Sequence, residues 1–139
     1  MTKSLTNINV LDFSHALSGP FCSMLLAELG AKIIKIEPPH GDHFRPANGG
    51  ATFAVVNRNK RSLCLDLKQP SASIIMERLI SKCDVILENF TPGTMKRLGY
   101  HYEALKKLKP DIIYASISGF GSTGPYNCLL YTSPSPRDS

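Results

Sequence analysis

No two of the four cysteines, Cys22, Cys64, Cys83 and Cys128, form a C-x-x-C pair, so zinc-ribbon and thioredoxin-type chemistry lack their ligand spacing. No apolar run approaches the length a bilayer demands. The first thirteen residues carry Lys3 but no apolar stretch of the kind a signal peptide needs. Reduced, packing thiols in a cytosolic or organelle-matrix protein are therefore expected. The basic residues come without a helix-turn-helix, zinc-finger or aromatic RNA-binding signature, which argues against a nucleic-acid partner. Internal repeats are absent as well.

What is present suits one soluble globular domain: 139 residues, 42% of them hydrophobic, with 16 Lys and Arg against 11 Asp and Glu. That excess of positive charge favours phosphate-bearing partners without choosing among them. Residues 8–13 (INVLDF) are apolar and β-favouring, and the His, Ser, Gly and Pro of residues 14–20 break the run, giving a buried strand and a turn. Phe21, Met24, Leu25 and Leu29 then recur at helical spacing. Ser18 is placed to cap that helix, Pro20 to sit in its first turn and Gly30 just past its end.

Residues 31–37 (AKIIKIE) read as a second strand, so the opening is strand, helix, strand, the unit of a parallel sheet. A Pro- and Gly-rich loop is expected over 38–51, a strand over 62–67, a helix over 71–82 and a strand over 85–88. A turn at Thr91–Thr94, a short basic helix over 102–108 and a strand over 112–117 follow. The fold class is α/β. From Asn127 to Ser139 the pattern gives way to alternating Ser and Pro, which reads as a tail.

The segment Gly119-Phe120-Gly121-Ser122-Thr123-Gly124 matches the letters of a dinucleotide fingerprint, but Pro125 interrupts any following helix and only fifteen residues remain after Gly124, too few for an acidic residue about twenty positions on. The glycines can still bring backbone N–H groups close to an anion, with Ser118, Ser122 and Thr123 as hydroxyl donors; a tight surface turn accounts for them equally well. The turn over 14–20 meets a helix start, a natural anion site at the edge of a strand. There Ser18 reads first as a cap and His15 as a satisfied turn histidine.

Arg58-Asn59-Lys60-Arg61, Lys96-Arg97 and Lys106-Lys107 each read as solvated surface with the capacity to meet phosphates. Glu88-Asn89-Phe90 closes a strand with an amide and an aromatic face able to hold an adenine or a pantetheine amide, or with no more than a capped turn. Asp12, Asp42, Asp66, Asp84 and Asp111 have no partner close in sequence that marks a nucleophile, and no residue is nominated as catalytic.

Taken in order, residues 10–42 (VLDFSHALSGPFCSMLLAELGAKIIKIEPPHGD), 57–68 (NRNKRSLCLDLK), 84–100 (DVILENFTPGTMKRLGY) and 114–126 (YASISGFGSTGPY) resemble the class III CoA-transferases of the formyl-CoA transferase and carnitine CoA-transferase type. The resemblance covers nearly all of residues 5–126. It implies that residues 1–126 are the amino-terminal part of a Rossmann-like CoA-binding domain, with residues 127–139 outside it and similar to translated cloning adapter. Full-length members form interlocked homodimers.

By position, the family's coenzyme A contacts fall on Leu17 and Ser18, on Leu65, Asp66, Leu67 and Lys68, on Asn89 and Phe90, on Arg97, and on Ser118, Gly119, Phe120 and Gly121. Pro38 stands where formyl-CoA transferase-like members carry an Arg, leaving Lys35 or Arg45 to compensate. Such enzymes exchange CoA between carboxylic acids through an aspartyl-CoA thioester, with acyl-CoA and acid as substrates and no permanently bound cofactor. The nucleophilic aspartate is expected beyond Tyr126, which makes the chain a fragment without it. Two alternatives stand: a fragment of a 2-methylacyl-CoA racemase, whose His and Asp are also expected downstream, and a non-catalytic CoA- or anion-binding module.

Overall fold

The computed structural model describes residues 3–121 and 123–127. Five strands form one sheet: β1 (Asn9–Asp12), β2 (Lys32–Glu37), β3 (Lys60–Cys64), β4 (Val85–Glu88) and β5 (Ile113–Ser116). Every pairing is parallel and the order is β3-β2-β1-β4-β5, so the chain works outward from β1 to one edge and then to the other. The helices are α1 (Ser18–Glu28), α2 (Ala51–Asn57), α3 (Pro70–Ile80), α4 (Thr94–Arg97) and α5 (Tyr102–Leu108). This is the α/β architecture expected from the alternation of elements.

Strand side chains alternate between two faces, and the core divides accordingly. On one face Leu11, Phe13 and Ile86 pack with Met76 and Ile80 of α3, Met95 of α4 and Leu105 of α5. On the other, Val10, Ile33 and Leu87 pack with Ala27 of α1 and with Ala31. Leu26 of α1 and Ile8, Val85 and Ile117 pack against this second cluster. Gly19 lets the start of α1 lie against the turn after β1: a Cβ there would stand 2.2 Å from the Cβ of Ser14.

Several expectations need correction. The buried residues of α1 are Gly19, Pro20, Ser23, Met24 and Ala27, while Phe21, Leu25 and Leu29 are 48%, 46% and 52% exposed. Only Met24 of the expected apolar stripe faces the core. α1 is apolar nearly all round, so spacing alone cannot say which side the sheet takes. Leu17 occupies the cap position without a side-chain bond and Ser18 is the first helical residue, so Ser18 is not the cap. Gly30, at φ 106°, does follow the helix end as expected.

β3 begins two residues before the expected strand and ends at Cys64, which moves Leu65–Lys68 out of the ladder and into the turn that follows. α2 and α4 were not anticipated, since both are short and follow segments that read as loop or turn. Cys128, Ser122 and the Ser- and Pro-rich stretch from residue 128 onward lie outside the described residues. Among the described residues no helix is long and apolar enough to cross a membrane.

Candidate functional site

In a sheet of this order, the direction in which strands are added reverses between β1 and β4, and the crevice outside the carboxyl ends of those strands is where open parallel sheets take ligands. β1 ends at Asp12 and β4 at Glu88. Two adjoining hollows lie there. One, of about 630 Å³, is lined by His15, Ser18, Asn89, Phe90, Ser118 and Gly119 among others. Its neighbour, about 230 Å³, is lined by Phe13, Pro38, Leu65, Asp66, Leu67 and Lys68, and shares His15, Phe90 and Thr94 with the first.

The structure thus brings together nine of the residues expected from the resemblance: Ser18, Leu65, Asp66, Leu67, Lys68, Asn89, Phe90, Ser118 and Gly119. Arg97 sits beside them, its Nη2 donating to Thr94 Oγ1 at 2.8 Å. Leu17 is exposed just before α1, and Phe120 and Gly121 continue the loop past the cleft lining, the Phe120 ring 5.8 Å from that of Tyr126.

The cleft floor rests on buried charge. Asp12 is fully buried and accepts hydrogen bonds from Ser14 N at 2.9 Å, from Ser14 Oγ, from Ser23 Oγ at 2.5 Å and from Lys60 Nζ at 3.0 Å. Lys60 places its remaining protons on Pro20 O and Asn57 Oδ1. One member of the run 58–61 is therefore an internal cation rather than a surface charge. Burial depresses the pKa of its ammonium, with Asp12 opposing that shift.

A second network runs along the loop after β2. Glu37 binds Arg45 through both carboxylate oxygens at 2.7 Å, and also accepts from Ser62 Oγ and Asp42 N. Burial alone would raise the Glu37 carboxyl, but these bonds outweigh it and hold the pKa at about 2. Lys35 is buried, donating to Ser14 O at 2.6 Å and pairing with Asp42 Oδ2 at 2.9 Å. Lys35 is thus internal, and Arg45 is committed to Glu37 and to the face of Phe53, 4.2 Å from its centroid. Neither replaces an Arg at Pro38 as a free phosphate-binding cation.

Sequence reasoning undervalued His15. Asn89 grips its backbone from both sides: His15 N donates to Asn89 Oδ1 at 2.7 Å, and Asn89 Nδ2 donates to His15 O at 2.8 Å. The amide expected to contact a ligand also shapes the turn. The His15 ring lies 5.1 Å from that of Phe90 and 5.5 Å from that of His43, with Nδ1 3.4 Å from Asp42 Oδ2. Burial would raise the Asp42 carboxyl, yet His15, the Phe44 amide and Lys35 hold it well below the usual carboxylate range.

The only sequence clue to this pair was two histidines flanking the Gly41-Asp42 turn, and nothing in the spacing linked them to His15. Donor atoms of His15, Asp42 and His43 lie within 4.8 Å of one another, a separation a divalent ion could bridge. The Lys35 ammonium already occupies the same carboxylate, which opposes a second cation there.

The chain is 45% identical to the formyl-CoA:oxalate CoA-transferase of Bradyrhizobium diazoefficiens, in an alignment covering 94% of this chain and 32% of that protein. A protein of the same name from Rhodopseudomonas palustris shows the same identity and coverage. A CAIB/BAIF family protein from Brucella suis superimposes with a TM-score of 0.88 at 36% identity, over 92% of this chain and 36% of that one. A hypothetical protein from Mycobacterium tuberculosis gives 0.87 at 37% identity, over 91% and 37%. The chain thus spans about a third of the length of the curated relatives it matches. The family model described as CoA-transferase family III matches residues 5–130, and with it the chain belongs to that family.

Proposed function

We propose that these residues form the coenzyme A-binding part of an enzyme that moves CoA between carboxylic acids. The observation that carries this reading is the convergence of four separate segments at one switch-point cleft: the α1 start, the turn after β3, the Asn89-Phe90 end of β4 and the loop after β5. The cleft offers an apolar floor at Phe13 and Phe90, with Lys68 on its wall and Arg97 beside it, a combination suited to an adenine ring and its phosphates. Its relatives are named as formyl-CoA:oxalate CoA-transferases.

On this reading, acyl-CoA and carboxylic acid are the substrates and the transfer passes through an aspartyl-CoA thioester on a residue beyond Tyr126. The residues here bind and orient; the working enzyme is a homodimer. The test is titration of coenzyme A into the chain by calorimetry. Saturable one-to-one binding is expected, weakened about tenfold, or about 1.4 kcal/mol, by Asn89→Ala, which releases the His15 turn. Absence of saturable binding to a folded chain would overturn the proposal.

A further inference from the structure

His15 is held more firmly than a turn residue needs to be. Its backbone is clamped by Asn89, and its ring lies against Phe90 and His43, with Nδ1 turned toward Asp42. The next residue, Ala16, sits at φ 61°, a left-handed conformation that non-glycine residues rarely adopt and that gathers at functional sites. Asp42 is itself fixed by Lys35 and by the Phe44 amide. This is a chain of support in which each group orients the next.

The Asp42 carboxylate faces Nδ1 at 3.4 Å, and Nε2 is the ring nitrogen on the other side. The ring lines both hollows and its side chain is 20% exposed, so Nε2 is the atom it has left to offer a ligand. The charges around it are Asp42 and His43 on the loop after β2, with Lys35 behind Asp42. Glu37, Asp66 and Lys68 line the smaller hollow, while Asn89 and Phe90, just after β4, lie next to the ring. Among the described residues, Asp42 is the carboxylate that stands 3.4 Å from the ring.

We propose that His15 is the oxyanion-binding side chain of this cleft: on ligand binding Nε2 takes a proton from solvent and donates a hydrogen bond to a carboxylate or phosphate oxygen. The Nε2–H bond forms as the bond holding that proton to hydronium or a buffer acid breaks. The proposal rests on reading the cleft as a coenzyme A site, and it adds the group that recognises the ligand's negative charge.

The experiment is calorimetry on the full 139-residue chain in buffers of different ionisation enthalpy, which reports protons taken up on binding. The probes are coenzyme A, adenosine 3′,5′-bisphosphate, pantetheine, inorganic phosphate and acetate. Wild type is expected to take up a fraction of a proton with each anionic probe and none with pantetheine. His15→Ala should weaken anion binding about tenfold, the loss of one charge-assisted hydrogen bond, and abolish the uptake. His15→Gln, whose amide N–H reaches where Nε2 lies, should restore most of the affinity without proton uptake, a pattern that a purely structural histidine would not give.

A loss confined to phosphate-bearing probes assigns the oxygen to CoA, and a loss confined to acetate assigns it to the acid substrate. Binding of every anionic probe that is unchanged in His15→Ala, or proton uptake that persists in His15→Gln, overturns the proposal and leaves the CoA reading intact. His15-linked uptake with phosphate or acetate, but no binding of coenzyme A, does the reverse. If a folded wild-type chain binds none of the probes, both fail.

Discussion

Lys60 stands in a run of four residues, Arg58-Asn59-Lys60-Arg61, that reads as surface charge, yet its ammonium is buried against Asp12, Pro20 O and Asn57. It ties β3, at one edge of the sheet, to β1 at the centre. Removing one partner of a buried pair strands the other, at a cost of about 3–5 kcal/mol. Lys60→Met is accordingly expected to lower stability by that order in denaturant titration, whereas Arg61→Met, at an exposed position, should change it by less than about 0.5 kcal/mol. Equal effects of the two would show that the Asp12–Lys60 pair does not support the cleft. At this scale the site was only half legible. The contact positions carried by the resemblance largely meet at the cleft, but the His15–Asp42 pair joins the turn after β1 to the loop after β2, a contact that only the sheet order brings about.

Cysteine reactivity gives a second check on individual residues. Burial pushes the Cys83 thiol up to about 11, while Cys64 is exposed at the end of β3. Only thiolate reacts at a useful rate, so alkylation at pH 8 followed by mass mapping should label Cys64 well before Cys83. Prompt labelling of Cys83 in the native chain would mean that the face of the sheet under α3 opens readily.

Among elements, β2 shows best why sequence pattern captured position but not role. Residues 31–37 read as a second strand, and the strand is there; the same alternation places Lys35 and Glu37 in the interior, where a sequence offers no reason to bury charge. Their partners, Asp42 and Arg45, lie on a loop that pattern reading treats as a connector. α2 and α4 were missed because each is too short to show a period, and the buried side of α1 was misjudged because apolar residues surround that helix.

The loop network carries a pH signature. Glu37 is depressed from its ordinary value of 4.5 to about 2, and Asp42 is depressed too. A carboxyl whose folded pKa lies below its unfolded one contributes stability that is fully present above the unfolded value and lost as pH falls through the folded one. Stability should therefore decline as pH drops from about 4.5 toward 2, the interval set by Glu37. Glu37→Gln should start lower and decline less steeply across that interval in urea titrations at stepped pH. An unchanged slope would mean that Arg45 does not hold Glu37 as tightly in solution as the two 2.7 Å bonds indicate.

For the whole molecule, the question is what covers α1. Leu17, Phe21, Leu25 and Leu29 follow one another at four-residue spacing and leave an apolar ridge open to solvent, while α1's other side already packs on the sheet. A contiguous exposed ridge of this kind is a contact surface or an aggregation risk. With it uncovered, the 139-residue chain should self-associate, with apparent mass rising with concentration in light scattering after gel filtration. Phe21→Glu with Leu25→Glu should shift it toward monomer without loss of the sheet, because neither side chain belongs to the buried set of α1. A wild-type chain that stays monomeric across the same concentrations, with a sharp cooperative melt, would show that the ridge tolerates water and that the fold closes on the sheet's own two faces.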